Sequence, residues 1–155
     1  MNIIFLDIDG VLNRLGSLEE GRTLVQYKGY IGMEPELVAR FNRLVERTKA
    51  GVVLSSTWRL DREWRDTMLA CGLKIDFIDR TPSNKRGHRG SEVEKWHGEN
   101  VVRHSIEKIA ILDDDSDFYE RQMPFLFKTS YASGLTYEIC AAIEKHFGVE
   151  PNEIY

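Results

Sequence analysis

Short apolar runs alternate along the chain with stretches in which apolar side chains recur at helical spacing. Runs of β-branched and aromatic residues are typical of buried strands, and apolar positions three or four residues apart are typical of helices packed on a sheet. The runs predict strands at 2–6, 52–54 and 109–112, with shorter candidates at 75–78 and 125–127. The helical pattern predicts helices at 34–49, 61–71, 91–96 and 135–147. We expect a loop or small hairpin at 13–32 and a polar, basic loop at 81–90.

Strands that alternate with helices predict a three-layer, Rossmann-like α/β fold with a mostly parallel central sheet. The 155 residues fit a single domain, 1–155. Within it, Ser91 followed by Glu94 has the pattern of a capping box and predicts that the third helix begins there. Ligands of such sheets bind beyond the carboxyl ends of the strands. Polar clusters follow three predicted strands, at 7–10, 55–57 and 113–117, so we expect a functional site at that edge.

Composition narrows the function only slightly. Apolar residues make up 42% and charged residues 30% of the chain, which argues against a disordered tail. The net charge of -4 argues against wholesale coating of nucleic acid but leaves room for a local basic patch. The N-terminus lacks the features of an export signal, and no apolar run has the length of a membrane span, so we expect no membrane partner and a cytoplasmic location. Cys71 and Cys140 are expected to be buried thiols.

The polar clusters resemble the four motifs of the haloacid dehalogenase-like (HAD) superfamily of phosphohydrolases. The motifs, in family order, are Asp7-Ile8-Asp9-Gly10-Val11-Leu12, Val53-Leu54-Ser55-Ser56, a single basic residue and Ile111-Leu112-Asp113-Asp114. Val11 replaces a threonine that many members carry. More loosely, 7–13, 55–59, 89–96 and 113–118 resemble a compact branch near RNA-repair phosphatase domains. The resemblance implies a phosphatase with a minimal cap, because neither gap between the motifs has room for a folded insert.

The resemblance assigns catalytic roles to Asp7 and Asp9. Asp7 is expected to attack phosphorus and form an aspartyl-phosphate, and Asp9 to protonate the leaving oxygen and later activate water. Gly10 permits the turn that the chain must make after the strand. The structural alternative for the two aspartates is an Asx-type turn at a strand end.

The expected cofactor is Mg²⁺, since a bare carboxylate repels an anionic phosphate. The expected metal ligands are Asp7, Asp9, Asp113 and Asp114. By resemblance, Asp114 touches the metal and Asp113 supports it, while a shifted register would use Asp113 with Asp117. The alternative is a solvated acidic turn without metal.

Phosphate contacts are expected from the second motif and the residues after it. Ser55 would offer its hydroxyl and Ser56 its backbone N–H, with Arg59 one turn further on. The alternatives are a helix N-cap at Ser56 or Thr57 and an exposed helical arginine at position 59.

The third-motif cation is one of Lys85, Arg86 and Arg89. Arg89 is favoured because it precedes a predicted helix, where the family usually places this residue. The stretch 80–89 is basic and is either a solvated loop or a contact surface for a polyanion. Trp58, Trp64 and Trp96 are expected to serve in packing rather than in stacking on a ligand.

A minimal cap implies an open site, which suits a phosphorylated nucleic-acid end. The alternatives are a small-molecule phosphatase acting on nucleotides and a non-catalytic phosphate-binding module of the same fold. A receiver-type signalling domain uses similar residues, but there the acidic pair comes first and the acceptor aspartate mid-chain. No protein partner can be inferred from the sequence.

Overall fold

The structure is a computed structural model that describes residues 1–14, 26–28, 30–84 and 87–150. Within these ranges, five strands form one parallel sheet: Ile3–Leu6 (β1), Gly51–Leu54 (β4), Asp79–Arg80 (β5), Ile109–Asp113 (β6) and Leu126–Lys128 (β7). The strand order is β5-β4-β1-β6-β7, so β1 pairs with β4 on one side and β6 on the other. Gln26–Tyr27 (β2) and Tyr30–Ile31 (β3) form a separate antiparallel hairpin.

Helices cover both faces of the sheet. They are Pro35–Thr48 (α1), Trp64–Ala70 (α2), Arg89–Asn100 (α3) and Tyr137–His146 (α4), with 3₁₀ helices at Thr57–Leu60 and Glu120–Phe125. Successive side chains of a strand point to opposite faces. Ile4 and Leu6 accordingly pack with side chains of α1, α2 and α4, and Ile3 and Phe5 pack with side chains of α3. The fully parallel, three-layer arrangement confirms the expected fold class.

Several predicted bounds differ from the structure, and three of the differences have a local reason. The helix expected at 61–71 begins at Trp64, because a 3₁₀ turn precedes it. The strand expected at 75–78 lies at Asp79–Arg80, where the backbone pairs with Val53 and Leu54 of β4. The third helix begins at Arg89, because Nδ1 of His88 accepts the Ser91 N–H at 2.9 Å and caps the helix.

Two further expectations concern the burial of the cysteines and the presence of a membrane-spanning helix. Cys140 is fully buried, whereas Cys71 is only half-buried, and both are free. Burial raises the pKa of both thiols, that of Cys140 to about 12. Among the helices of the described ranges, none is long and apolar enough to cross a membrane.

Candidate active site

Three carboxylates meet at the carboxyl ends of the two central strands. Asp7 directly follows β1, and its N–H donates to the Leu112 carbonyl of β6 at 3.0 Å. Asp113 ends β6, and Asp114 follows it. One oxygen from each carboxylate lies within 4.8 Å of the others, and Asp7 and Asp113 are buried. The parallel register of β1 and β6 therefore brings together acids that are more than a hundred residues apart in sequence.

Burial and neighbouring acids both disfavour ionisation of this group, and Arg89 offsets them in part. Burial raises the pKa of Asp7 well above its usual range, and the neighbouring Asp113 raises it further, against the lowering effect of Arg89. Burial likewise raises the pKa of Asp113, to about 6. Two buried acids held together resist ionisation unless a cation compensates them. The geometry and the charge of the group both suit a bound cation.

Gly10 makes room for the third acid. Its φ of +79° lies in the left-handed region, and a Cβ at this position would overlap the Asp114 carboxylate. Its N–H donates to Oδ1 of Asn13 at 2.9 Å, and its carbonyl accepts from Oγ1 of Thr129 at 2.7 Å. Glycine is therefore required here for both backbone conformation and close approach.

Arg89 supplies the positive charge of the site. It is the first residue of α3, and its Nη1 lies 3.2 Å from Oδ1 of Asp7 and 3.4 Å from Oδ2 of Asp113. Burial lowers the pKa of Arg89, but the two aspartates outweigh that effect and raise it above its usual value. The structure thus puts the favoured third-motif cation beside the expected nucleophile. Lys85 and Arg86, the other two candidates, lie outside the described residues.

The Asp9 carboxylate is held by two neighbouring side chains. Its Oδ1 accepts from Nδ2 of Asn13 at 2.9 Å, and its Oδ2 accepts from Nε1 of Trp58 at 3.4 Å. Its carboxylate is not part of the three-carboxylate group, so the structure does not bring it among the expected metal ligands. Asp9 instead lines a separate cleft with Tyr27 and Trp58.

The family described as "HAD domain in Swiss Army Knife RNA repair proteins" matches residues 3–139. The chain belongs to this HAD family. No curated protein and no solved structure matches the chain significantly. Membership confirms the resemblance seen in the motifs and indicates phosphohydrolase chemistry.

The second motif of this HAD domain contains an unsatisfied hydroxyl. Ser55 follows β4 and is completely buried, and its Oγ has no hydrogen-bond partner among the described residues. Buried polar groups without a partner are rare, so this oxygen suits a ligand. The Ser56 hydroxyl accepts the Trp58 N–H at 3.2 Å and caps the 3₁₀ helix, and the phosphate contact expected from the Ser56 backbone N–H stays a prediction. This cap matches the structural alternative given for Ser56.

The expected phosphate contact from Arg59 requires correction. Arg59 is only 4% exposed, so it is not a surface arginine either. Its guanidinium donates to the carbonyls of Ser55, Ser56 and Thr81, and its Nη2 pairs with Oε2 of the equally buried Glu92 at 3.0 Å. Arg59 thus holds the second motif against α3 through Glu92, and its nitrogens are occupied by the protein.

Two supporting residues escaped the sequence interpretation. Asn13 is fully buried and connects Gly10 to Asp9 through its side-chain amide. Thr129 follows β7, donates its hydroxyl to Gly10 and its N–H to the Asp113 carbonyl at 3.0 Å. The rule that identified Ser55, a polar residue just past the carboxyl end of a strand, also applies to Thr129.

Proposed function

We propose that this HAD domain is a Mg²⁺-dependent phosphomonoester hydrolase that works through an aspartyl-phosphate at Asp7. The observation that carries the proposal is the pairing of Asp7 with Arg89 at 3.2 Å, beside two further carboxylates. A nucleophilic carboxylate needs positive charge nearby to accept an anionic phosphoryl group. The unpartnered Ser55 hydroxyl, at the end of the neighbouring strand, offers the phosphate a hydrogen-bond donor.

In the first half-reaction, a carboxylate oxygen of Asp7 forms a bond to phosphorus while the bond from phosphorus to the leaving oxygen breaks. Asp9 donates its proton to that oxygen, and the alcohol departs. In the second half-reaction, Asp9 takes a proton from water, whose oxygen attacks phosphorus. The acyl-phosphate bond breaks, and inorganic phosphate and free Asp7 are regenerated.

Mg²⁺ fits the donor set of the site. Asp7, Asp113 and Asp114 would hold it, since hard oxygen ligands are those Mg²⁺ prefers. Burial and the neighbouring acids raise the pKa values of Asp7 and Asp113, and Arg89 offsets these effects only in part, so a further cation would be favoured there. When bound, Mg²⁺ offsets the repulsion between the nucleophile and the phosphate.

The proposed substrate is a phosphorylated nucleic-acid end. The proposal is supported by the matching family, which is described from RNA repair proteins. Between the first two motifs, the described residues form the β2–β3 hairpin and α1, and no folded cap domain is found among them.

The test combines turnover with detection of the intermediate. The full chain should release phosphate from 3′- or 5′-phosphorylated oligonucleotides with Mg²⁺ and lose this activity with EDTA. With substrate labelled in the phosphate, acid-quenched protein should retain label that hydroxylamine removes, as an acyl phosphate requires. Turnover without any hydroxylamine-sensitive label would contradict the covalent route, and no turnover on any phosphomonoester would contradict the proposed activity.

A further inference from the structure

A cleft of about 550 Å³ opens beside Asp9. It lies between the tip of the β2–β3 hairpin and the Thr57–Leu60 3₁₀ helix, and α2 contributes to its lining. Among the residues that the structure describes, Asp9 is the one that this cleft shares with the candidate active site. Whatever occupies the cleft therefore lies beside Asp9 and not beside Arg89.

Aromatic and apolar surface dominates the rim of the cleft. The rings of Tyr27 and Trp58 lie nearly parallel, 25° apart with their centroids 6.3 Å from each other. Both rings are only half-buried, and Leu60 beside them is 63% exposed. Trp64 and Trp96, by contrast, are buried in the core as expected. The expectation that Trp58 serves only in packing is therefore incomplete, because it also lines an open cleft.

The lining of the cleft carries both a positive and a negative side chain, Lys28 and Asp61. Lys28 is exposed, and its Nζ lies 5.5 Å from the centre of the Tyr27 ring. The Asp61 carboxylate and the Thr67 hydroxyl also line the cleft, where the hydroxyl donates to the carboxylate at 3.5 Å. Partly exposed aromatic rings with a cation over one of them are a combination that binds nucleobases.

We infer that the cleft is a stacking subsite for the nucleobase of the terminal nucleotide, the one that carries the phosphate to be removed. The inference rests on the proposed function, because Asp9 protonates the leaving oxygen there. Nε1 of Trp58 lies 3.4 Å from Oδ2 of Asp9. A sugar whose oxygen contacts the general acid would therefore carry its base next to the aromatic rings. Tyr27 and Trp58 are then specificity-determining residues that recognise the presence of a base without distinguishing one base from another.

The decisive comparison uses two oligonucleotides that differ only in the terminal base. Both carry the same terminal phosphate, and one has an abasic sugar in place of the last nucleotide. Stacking on a protein ring contributes on the order of tenfold per base, so we expect kcat/KM to favour the intact end by about that factor. Tyr27→Ala should reduce this preference severalfold.

Tyr137→Ala is the matched control. Tyr137 is also partly exposed and also has a cation over its ring, Arg40 at 3.9 Å, but it lines a different groove with α1. This variant should keep the wild-type preference for the intact end. Equal loss of preference in both variants would overturn the assignment of the cleft.

Binding of a free nucleoside separates this inference from the proposed activity. Adenosine has no phosphate, and it should quench tryptophan fluorescence in the wild type and less in Trp58→Leu and Tyr27→Ala. If phosphate is released equally well from intact and abasic ends, the stacking inference is wrong while the phosphatase stands. If no substrate is hydrolysed but adenosine quenches Trp58, the proposed function fails and the subsite remains. Preferential hydrolysis of a phosphopeptide that depends on Tyr27 would overturn the nucleobase assignment in favour of a protein substrate.

Discussion

The two sides of Asp7 are built from different parts of the fold. On what we call the phosphate side, Asp113, Asp114 and Arg89 lie at strand ends and at a helix start, and their positions follow from the register of the parallel sheet. On what we call the leaving-group side, Asp9 faces a cleft lined by the hairpin residue Tyr27 and the 3₁₀-helix residue Trp58. The first side is largely buried, and the second is open.

Under the proposed function, this difference separates the residues that perform the chemistry from those that select the substrate. The phosphate side needs fixed distances between charged groups, which regular secondary structure provides. The leaving-group side must accept a particular molecule, and connecting segments can change their sequence without disturbing the sheet. Substitutions on the first side should therefore affect every substrate alike, and those on the second should depend on the leaving group.

The largest effect is expected from Asp7→Asn. An amide cannot act as the nucleophile, so kcat should fall by about a thousandfold or more for every phosphomonoester. Phosphate release, measured under substrate saturation with Mg²⁺, checks this prediction. Asp115→Asn is the control, because Asp115 is an exposed neighbour of the acidic group and should retain activity. Substantial turnover in Asp7→Asn would exclude the covalent mechanism.

A graded effect is expected from Asp9→Asn. A general acid matters most when the leaving oxygen is basic, so kcat should fall about a hundredfold for alkyl phosphates and much less for a nitrophenyl phosphate. The measurement is the slope of log kcat against the pKa of the leaving group, which should become steeper in the variant. An unchanged slope would remove Asp9 from proton transfer and, with it, the distinction between the two sides.

The phosphate side was more accessible to sequence reasoning than the leaving-group side. Apolar runs that end in polar clusters revealed the strands, and the order of the strands' carboxyl ends placed Asp7 and Asp113 together. The pairing of Arg59 with Glu92 could not be predicted. An arginine in a sequence does not show which carbonyl or carboxylate groups, distant along the chain, will accept hydrogen bonds from its guanidinium.

Residues that act through unusual contacts were also missed. His88 caps α3, yet histidine is not among the common N-cap residues, so Ser91 attracted the prediction instead. Trp58 was expected to serve in packing, and only the three-dimensional approach of the hairpin makes it part of a cleft. That approach depends on tertiary structure, which local patterns do not encode.

A third prediction concerns the buried ion pair that supports the phosphate side. Glu92 accepts from Arg59 at 3.0 Å and from the Asn84 N–H at 3.0 Å, and both partners of the ion pair are only 4% exposed. Glu92→Gln leaves a buried arginine charge without compensation, so the free energy of unfolding should fall by about 3 kcal/mol. Urea denaturation checks this value. The control is Glu94→Gln on the same helix, where the exposed pair with Arg121 should contribute well under 1 kcal/mol. Similar losses in both variants would contradict a special role for the buried pair.

The smallest expected effect is a gain in stability from Asp113→Asn. The folded protein raises the pKa of Asp113 from 3.8 to about 6, chiefly through burial, so the folded state holds its proton more tightly than the unfolded chain does. The stability contributed by this proton is complete below pH 4 and is lost as the pH rises through 6. Without Mg²⁺ at pH 8, the variant should therefore be more stable than the wild type, with a free energy of unfolding about 1–2 kcal/mol higher.

The pH dependence distinguishes this electrostatic cost from a change in packing. The difference between variant and wild type should be much smaller at pH 4 than at pH 8, because at pH 4 Asp113 is protonated in the folded state and partly protonated in the unfolded chain. Thermal unfolding at the two pH values with EDTA measures it, and Asp115→Asn should show little change at either. Added Mg²⁺ should raise the Tm of the wild type more than that of Asp113→Asn, because the wild type gains binding energy from the same charge that destabilises it in EDTA. A stability difference that is the same at pH 4 and pH 8 would show that the acids of the phosphate side are not under electrostatic strain.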